Sequence, residues 1–288
     1  MERIGKALQR REKPINDKTL YITDLDGTLL HNDETVSEQT IQILNRLVKR
    51  GMKFSYATAR SRVTAGHITR GLCQHFPVVL YNGAFIMDST SSELICSHFF
   101  NDKENDRIQS KLKELAVSPI VYSFIDEKEQ FSFVTEAVTD GMKKFLDTRK
   151  SDIRRREVDS EDRLYLGYIF YYTCIDTEEK LAALYGELKS EFQCVLSKDI
   201  YSEEWWLEIM PKDATKANAV QEVKKICGCE KVVCFGDGIN DRTMFEFCDE
   251  AYAVGNACEE LKEIATGVIG TNEEDAVAEF LRRRFDEN

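Results

Sequence analysis

Four aspartates in two short acidic stretches carry the clearest chemistry in the sequence. Asp24-Leu25-Asp26-Gly27-Thr28 follows the apolar run Leu20-Tyr21-Ile22-Thr23, and Gly236-Asp237-Gly238-Ile239-Asn240-Asp241 follows Lys231–Phe235. Each run reads as a buried strand, so the acids stand at strand carboxyl ends, where ligands of open α/β sheets bind. Burying several carboxylates in one crevice costs free energy unless a cation or hydrogen-bond donors compensate. An all-oxygen donor set suits a hard divalent ion such as Mg²⁺. Asp-Gly is also a strong turn signal; the strand ahead and the Asp-x-Asp spacing favour a site at the first stretch, and the second gains weight from the first. Two rival motifs fail. An EF-hand loop needs Gly at its sixth position and Glu at its twelfth, where this chain has Leu29 and Thr35. A dinucleotide fingerprint needs a third glycine, and these acids would repel a pyrophosphate lacking a metal.

Two weaker signals lie between. Tyr56-Ala57-Thr58-Ala59-Arg60 closes a second strand and presents the Thr58 hydroxyl and backbone amides at the same rim, although a Thr at a helix start is commonly only a cap. Lys216, after Met210-Pro211-Lys212-Asp213-Ala214-Thr215, opens a helix. A cation there opposes the helix dipole, which suggests another purpose. Lys212 is the competing candidate, and both lysines also read as solvated surface groups.

The elements that must position these residues follow from periodicity. A helix is expected over Ser37–Arg50, with Ile41, Leu44, Leu47 and Val48 on one face, Ser37 capping and Gly51 ending it. A strand at Met52–Ala57, a helix at Arg62–Leu72 and a strand at Val78–Tyr81 continue a parallel α/β pattern. After Asn82-Gly83 the texture changes. Strands are expected at Glu93–Phe100, Ile120–Ile125, Gln130–Thr135, Leu164–Cys174, Phe192–Leu196 and Trp205–Met210, with a hairpin loop at Asp126-Glu127-Lys128-Glu129. Helices are expected at Lys103–Ala116, Ala137–Lys150 and Thr177–Ser190. The alternating pattern returns from Pro211, with helices near Lys216–Cys227, Arg242–Phe247, Glu259–Ala265 and Glu273–Phe285 and strands at Lys231–Phe235, Ala251–Val254 and Gly267–Ile269. The expected organisation is a polar N-terminal extension (1–18), one α/β domain in two parts (19–83 and 209–288), and an α+β domain inserted between them (84–208).

Taken in order, Asp24-x-Asp26-Gly27-Thr28, Thr58, Lys216 and Gly236-Asp237-Gly238-x-Asn240-Asp241 resemble the four-motif set of the haloacid dehalogenase-like (HAD) superfamily, over about residues 19–285. The insert resembles the type IIB cap of the Cof-type phosphatases, with Asn82-Gly83-Ala84 as its entry. One departure is Thr58-Ala59-Arg60, where the family commonly has Thr-Gly-Arg. The resemblance implies a Rossmann-like core, a parallel sheet flanked by helices, with an inserted α+β cap. It implies a phosphoric monoester hydrolase acting on a small phosphorylated metabolite, a sugar phosphate or similar phosphomonoester. Asp24 is then the nucleophile, forming an aspartyl-phosphate, and Asp26 the general acid and base. Asp24, the Asp26 carbonyl, Asp237 and Asp241 hold Mg²⁺. Thr58, Ala59, Lys216 and Asn240 bind the phosphoryl oxygens. The alternatives are a phosphomutase of the phosphomannomutase type and a non-catalytic phospho-aspartate signalling module.

Composition bounds the partners. Thirty-nine basic against 51 acidic residues give a net charge of −12, the wrong sign for binding nucleic acid or an anionic membrane over a broad surface. That charge leaves one locally neutralised phosphoryl group permitted. At 288 residues the chain is long enough for two domains. The uncharged stretch Leu164–Ile175 falls well short of the ~20 residues of a membrane helix. Residues 1–13 lack the apolar core of a secretory signal. Nine cysteines without a Cys-x-x-Cys read as reduced thiols in the cytoplasm.

Overall fold

The computed structural model describes residues 13–73, 75–198 and 204–286; most of the expected N-terminal extension (1–18) lies outside the described residues. The first strand, β1 (Thr19–Thr23), is buried along its whole length. It is followed by α1 (Glu38–Lys49), β2 (Lys53–Tyr56) and α2 (Arg62–Ile68), then by the short strands β3 (Val78–Leu80), β4 (Phe85–Met87) and β5 (Leu94–Ser97). Next come α3 (Asp102–Glu114), β6 (Pro119–Ile125), β7 (Lys128–Val134), α4 (Asp140–Asp147), β8 (Arg155–Val158), β9 (Tyr168–Asp176), α5 (Glu178–Leu188), β10 (Gln193–Lys198) and β11 (Trp205–Met210). The chain closes with α6 (Lys216–Ile226), β12 (Lys231–Gly236), α7 (Arg242–Phe247), β13 (Glu250–Ala253), α8 (Glu259–Lys262), β14 (Gly267–Val268) and α9 (Ala276–Asp286).

Three sheets result. One is parallel, in the order β14-β13-β12-β1-β2, and joins strands from both ends of the chain. Its central strands are near-continuous apolar runs, as burial on both faces requires. The second has the order β10-β11-β9-β6-β7-β8 and is antiparallel except for the β7–β8 pair. The small β3-β4-β5 sheet is antiparallel and meets β2 through a single parallel bridge, Ala57 to Val79. The parallel α/β core and the additional cap sheet are therefore as expected.

Local deviations have identifiable causes. The strand at Val78–Tyr81 does not join the parallel sheet, because the chain reverses at once through Tyr81, Asn82 and Gly83, all at positive φ (51°, 54° and 108°). The β6–β7 hairpin turns in two residues rather than four, since Asp126 and Glu127 both adopt the left-handed conformation that matches strand twist. Gly167, at φ 76°, delays β9 to Tyr168. Helix α4 starts only at Asp140, after the Thr139 hydroxyl caps it. Strand β8, polar in three of its four residues, carried no recognisable sequence signal.

Two apolar clusters hold these layers. α3 and α5 pack Ile108, Leu112, Leu181, Leu184 and Leu188 behind the six-stranded sheet, against Tyr172, Cys174, Leu207 and Ile209. The opposite face of that sheet is continuous with the core of the parallel sheet through Tyr81, Phe85, Tyr122 and Phe170. A bulge makes this possible. Tyr122 pairs with Tyr171 and Ser123 with Ile169, so Phe170 is the extra residue, and Phe170 and Tyr171 both belong to the core shared with the parallel sheet. The Phe170 ring lies 4.5 Å from that of Phe85 and 5.0 Å from that of Tyr81.

Arg284 on α9 clamps the far edge of the parallel sheet by donating to both oxygens of Glu250 at 2.7 and 2.8 Å. These bonds hold the Glu250 carboxyl down at about 2. A depressed acid stabilises the fold above its ordinary value near 4.5, and this contribution fades as pH falls towards 2. Glu250→Gln is expected to lower stability by up to about 1 kcal/mol at pH 7, given its partial exposure. The gap from wild type should narrow steadily below pH ~4.5 in denaturant titrations; a gap that is constant with pH would contradict this origin.

Candidate active site

The parallel register of β1 against β12 places Thr23 opposite Phe235, and the Asp24 amide donates to the Phe235 carbonyl at 2.9 Å. The two acidic stretches therefore leave the sheet side by side. Gly27 makes their approach possible. At φ 70° it adopts a conformation suited to glycine, and a Cβ there would lie 2.4 Å from an Asp237 carboxylate oxygen. The Thr28 hydroxyl donates to the other Asp237 oxygen at 2.9 Å.

Asp24, Asp237 and Asp241 present carboxylate oxygens within 4.8 Å of one another. Asp241 is fully buried; one oxygen accepts from the amides of Asp237 and Gly238 at 3.0 and 3.2 Å, fixing the loop around its own side chain. Lys216, at the first turn of α6 and 1% exposed, donates to Asp24 at 2.5 Å and to Asp241 at 2.6 Å. Lys212 points elsewhere, with its ammonium on the Ser190 carbonyl. Of the two lysines, Lys216 is the one at the acidic cluster.

The charge balance at this cluster is incomplete. Burial pushes the Asp24 carboxyl well above the usual carboxylate range; Lys216 opposes this, while Asp241, Asp237 and Asp26 add repulsion. Asp237 is pushed up to about 7 by burial and by Asp241. For Lys216, burial disfavours the ammonium, but attraction to Asp24 and Asp241 outweighs it and keeps the group charged. A further cation would relieve the remaining repulsion, and an all-oxygen set fits a hard divalent ion.

The other expected residues occupy distinct positions. Thr58 is fully buried, its amide on the Val79 carbonyl, its carbonyl accepting from Asn82 and its hydroxyl accepting from the Arg60 amide at 3.1 Å. Ala59, beside it, lines a cavity of about 860 Å³ that opens from Asp24, Asp26 and Asp237 toward the cap sheet. Asp26 stands apart from the three clustered acids. The Arg60 guanidinium grips both its oxygens at 2.8 and 2.5 Å and also reaches Glu34 at 2.6 Å. Asn240 donates to the Asn82 side chain at 3.2 Å.

Sequence reasoning treated Asn82 only as an entry point to the insert. Its amide nitrogen donates to the Tyr171 hydroxyl and to Glu208, each at 3.0 Å, while its oxygen accepts from Asn240. It thus joins the acidic loop to two strands of the cap sheet. The signal available was Asn-Gly directly after a buried strand, a turn dipeptide whose side chain is usually spent locally. Arg60 stood in the quoted Thr58-Ala59-Arg60 stretch without an assigned role, and Glu208 offered no signal, since single charged residues in strands are commonplace.

The haloacid dehalogenase-like hydrolase family model matches residues 21–281. The chain is 29% identical over 282 residues to the 5-amino-6-(5-phospho-D-ribitylamino)uracil phosphatase YitU of Bacillus subtilis, covering 92% of this chain and 97% of that protein. Among solved structures, TM0651 from Thermotoga maritima superposes with a TM-score of 0.72 at 26% identity, over 92% of this chain and 96% of that one. The HAD subclass IIB sugar phosphatase BT4131 shares the fold with a TM-score of 0.74 at 20% identity, over 92% and 98%. The chain belongs to the haloacid dehalogenase-like hydrolases, and it is an enzyme of the phosphatase type, a phosphoric monoester hydrolase.

Lys216 supplies the buried positive charge that Asp24 and Asp241 share. Lys216→Met is expected to lower stability by about 3–5 kcal/mol in divalent-free buffer, as removal of one partner from a buried ion pair does. Equilibrium unfolding in urea measures this, and an unchanged midpoint would refute the assigned balance.

Proposed function

We propose that the chain hydrolyses a small phosphomonoester in two steps at Asp24, with a divalent cation, Mg²⁺, at the acidic cluster. The observation that carries this reading is the buried constellation of Asp24, Asp237 and Asp241 around a single lysine, at the mouth of a cavity large enough for a metabolite. Carboxylate oxygens of Asp24 and Asp237 and the Asp26 carbonyl would hold the ion, with Asp241 completing or bracing the set. Bound there, Mg²⁺ would offset part of the charge of the crowded carboxylates and of the phosphoryl group.

In the first step an Asp24 oxygen attacks phosphorus, a P–O bond forms to the carboxylate, and the bond to the leaving oxygen breaks. Asp26 gives that oxygen its proton. In the second step water attacks the aspartyl-phosphate, Asp26 takes the water's proton, and phosphate leaves with Asp24 restored as a carboxylate. Arg60 holds the Asp26 carboxylate at the cavity wall, a positioning role. The Thr58 hydroxyl accepts from the Arg60 amide, which leaves its own proton to donate to a phosphoryl oxygen. Lys216, the Ala59 amide and Asn240 supply the remaining donors.

We take residues 84–208 as the cap, which closes the site against water and selects the leaving group. No helix among the described residues is long and apolar enough to cross a membrane. All nine cysteines are unpaired, which supports a reducing cytoplasm as the compartment.

Hydrolysis of p-nitrophenyl phosphate should require Mg²⁺, stop on chelation and return when the ion is restored. Asp24→Asn should reduce kcat by at least ~10³-fold while circular dichroism shows an intact fold. Near-normal turnover by this variant would exclude covalent catalysis at Asp24.

A further inference from the structure

The lining of the cavity includes Phe145, near the end of α4, and an arginine with no acidic partner among the described residues. The guanidinium carbon of Arg149 lies 3.7 Å from the centre of the Phe145 ring. One of its nitrogens, Nη1, donates to the Phe145 carbonyl at 3.1 Å and to the Thr148 hydroxyl at 2.8 Å. Those contacts cap the helix and leave Nε and Nη2 uncommitted. Among the described residues no carboxylate lies within ion-pair distance of Arg149, whereas its cationic neighbours on the wall are matched: Arg60 by Asp26 and Glu34, Arg154 by Glu129 and Asp152, Lys144 by Glu204. Asp152, near enough to attract Arg149, is held by Arg154 through two bonds of 3.0 and 2.6 Å. Burial therefore depresses the Arg149 pKa, and repulsion from Arg60 and Arg154 adds to the effect.

A second unspent donor lies on a side chain that packs against the same ring. Trp206 meets the Phe145 ring edge-on at 5.4 Å, and its indole Nε1 is buried with no acceptor. Both residues line the cavity. A partly buried guanidinium without a counter-ion and a buried N–H without an acceptor are each costly. For the guanidinium the remedy is an acceptor-rich anion arriving from the cavity. The planar fork of an arginine fits a carboxylate or a phosphoryl group, and the aromatic surroundings lower the local dielectric and strengthen the contact.

We infer that the leaving group of the substrate carries its own negative charge, a carboxylate or a second phosphoryl group, which Arg149 holds at the Phe145 wall. This rests on the phosphatase reading and adds to it the class of leaving group.

The test is steady-state hydrolysis with Mg²⁺ by wild type, Arg149→Gln and Arg149→Lys. The esters are glucose phosphate and uridine monophosphate, with neutral leaving groups, and phosphogluconate and fructose bisphosphate, with anionic ones. Wild type is expected to favour one anionic ester in kcat/KM by ~10–100-fold. Whichever of the two wins separates carboxylate from phosphoryl recognition. Arg149→Gln should abolish the preference chiefly through KM, and Arg149→Lys should restore part of it. A wild-type preference for a neutral ester, or a parallel loss on all four esters in a variant with a normal melting temperature, would overturn the inference. If wild type hydrolyses none of these esters nor p-nitrophenyl phosphate, the phosphatase reading fails instead. Calorimetric titration with phosphogluconate and fructose bisphosphate then decides the Arg149 site: binding to wild type that Arg149→Gln loses upholds it, and no such difference removes it.

Discussion

One buried ammonium sets the terms for the rest of this structure. Lys216 faces two carboxylates from opposite ends of the chain, and its charge makes their burial tolerable. The arrangement demands that β1 and β12 be neighbours in parallel register, that α6 begin beneath the loop after β12, and that Gly27 admit Asp237. None of these can shift without leaving a desolvated charge unmatched. The one lysine does not balance three clustered acids, and that deficit is what a divalent ion would offset.

The cavity outside this cluster follows a different logic. Near the acids its groups are paired tightly, as with Arg60 on Asp26. Toward the cap it becomes aromatic, with donors left unspent. The parallel sheet thus supplies a fixed reaction centre, while the antiparallel sheet presents an interchangeable surface, in keeping with the way functions vary upon shared folds.

Much of this was legible from residue types alone. The two aspartate motifs announce themselves because they end strongly apolar runs, and the α/β rhythm around them follows from helix and strand periodicity. Residue type and spacing alone left Lys216 and Lys212 level, and only the motif resemblance chose Lys216; in the structure burial distinguishes them. The strand at Val78–Tyr81 was legible as a strand but not in its pairing, which depends on three successive left-handed residues, two of them not glycine. Glu208 and Arg149 were invisible for a related reason. Their significance lies in whether a partner is near: those of Glu208 come from sequence positions tens of residues away, and Arg149 has no acidic partner among the described residues.

Asn82 uses every polar atom of its amide, two donations to the cap sheet and one acceptance from the Asn240 loop. Gly83 beside it passes so close to the Thr215 carbonyl, at the head of α6, that a Cβ would fall 2.3 Å away. The junction is therefore keyed rather than merely flexible. A foreign cap transplanted onto this core would have to bring the counterparts of Tyr171 and Glu208 at the same strand positions, or the amide would lose its bearings and disturb the loop that carries Asp237. Modularity in this architecture ends at that residue: a cap exchanged without this lock would arrive unkeyed.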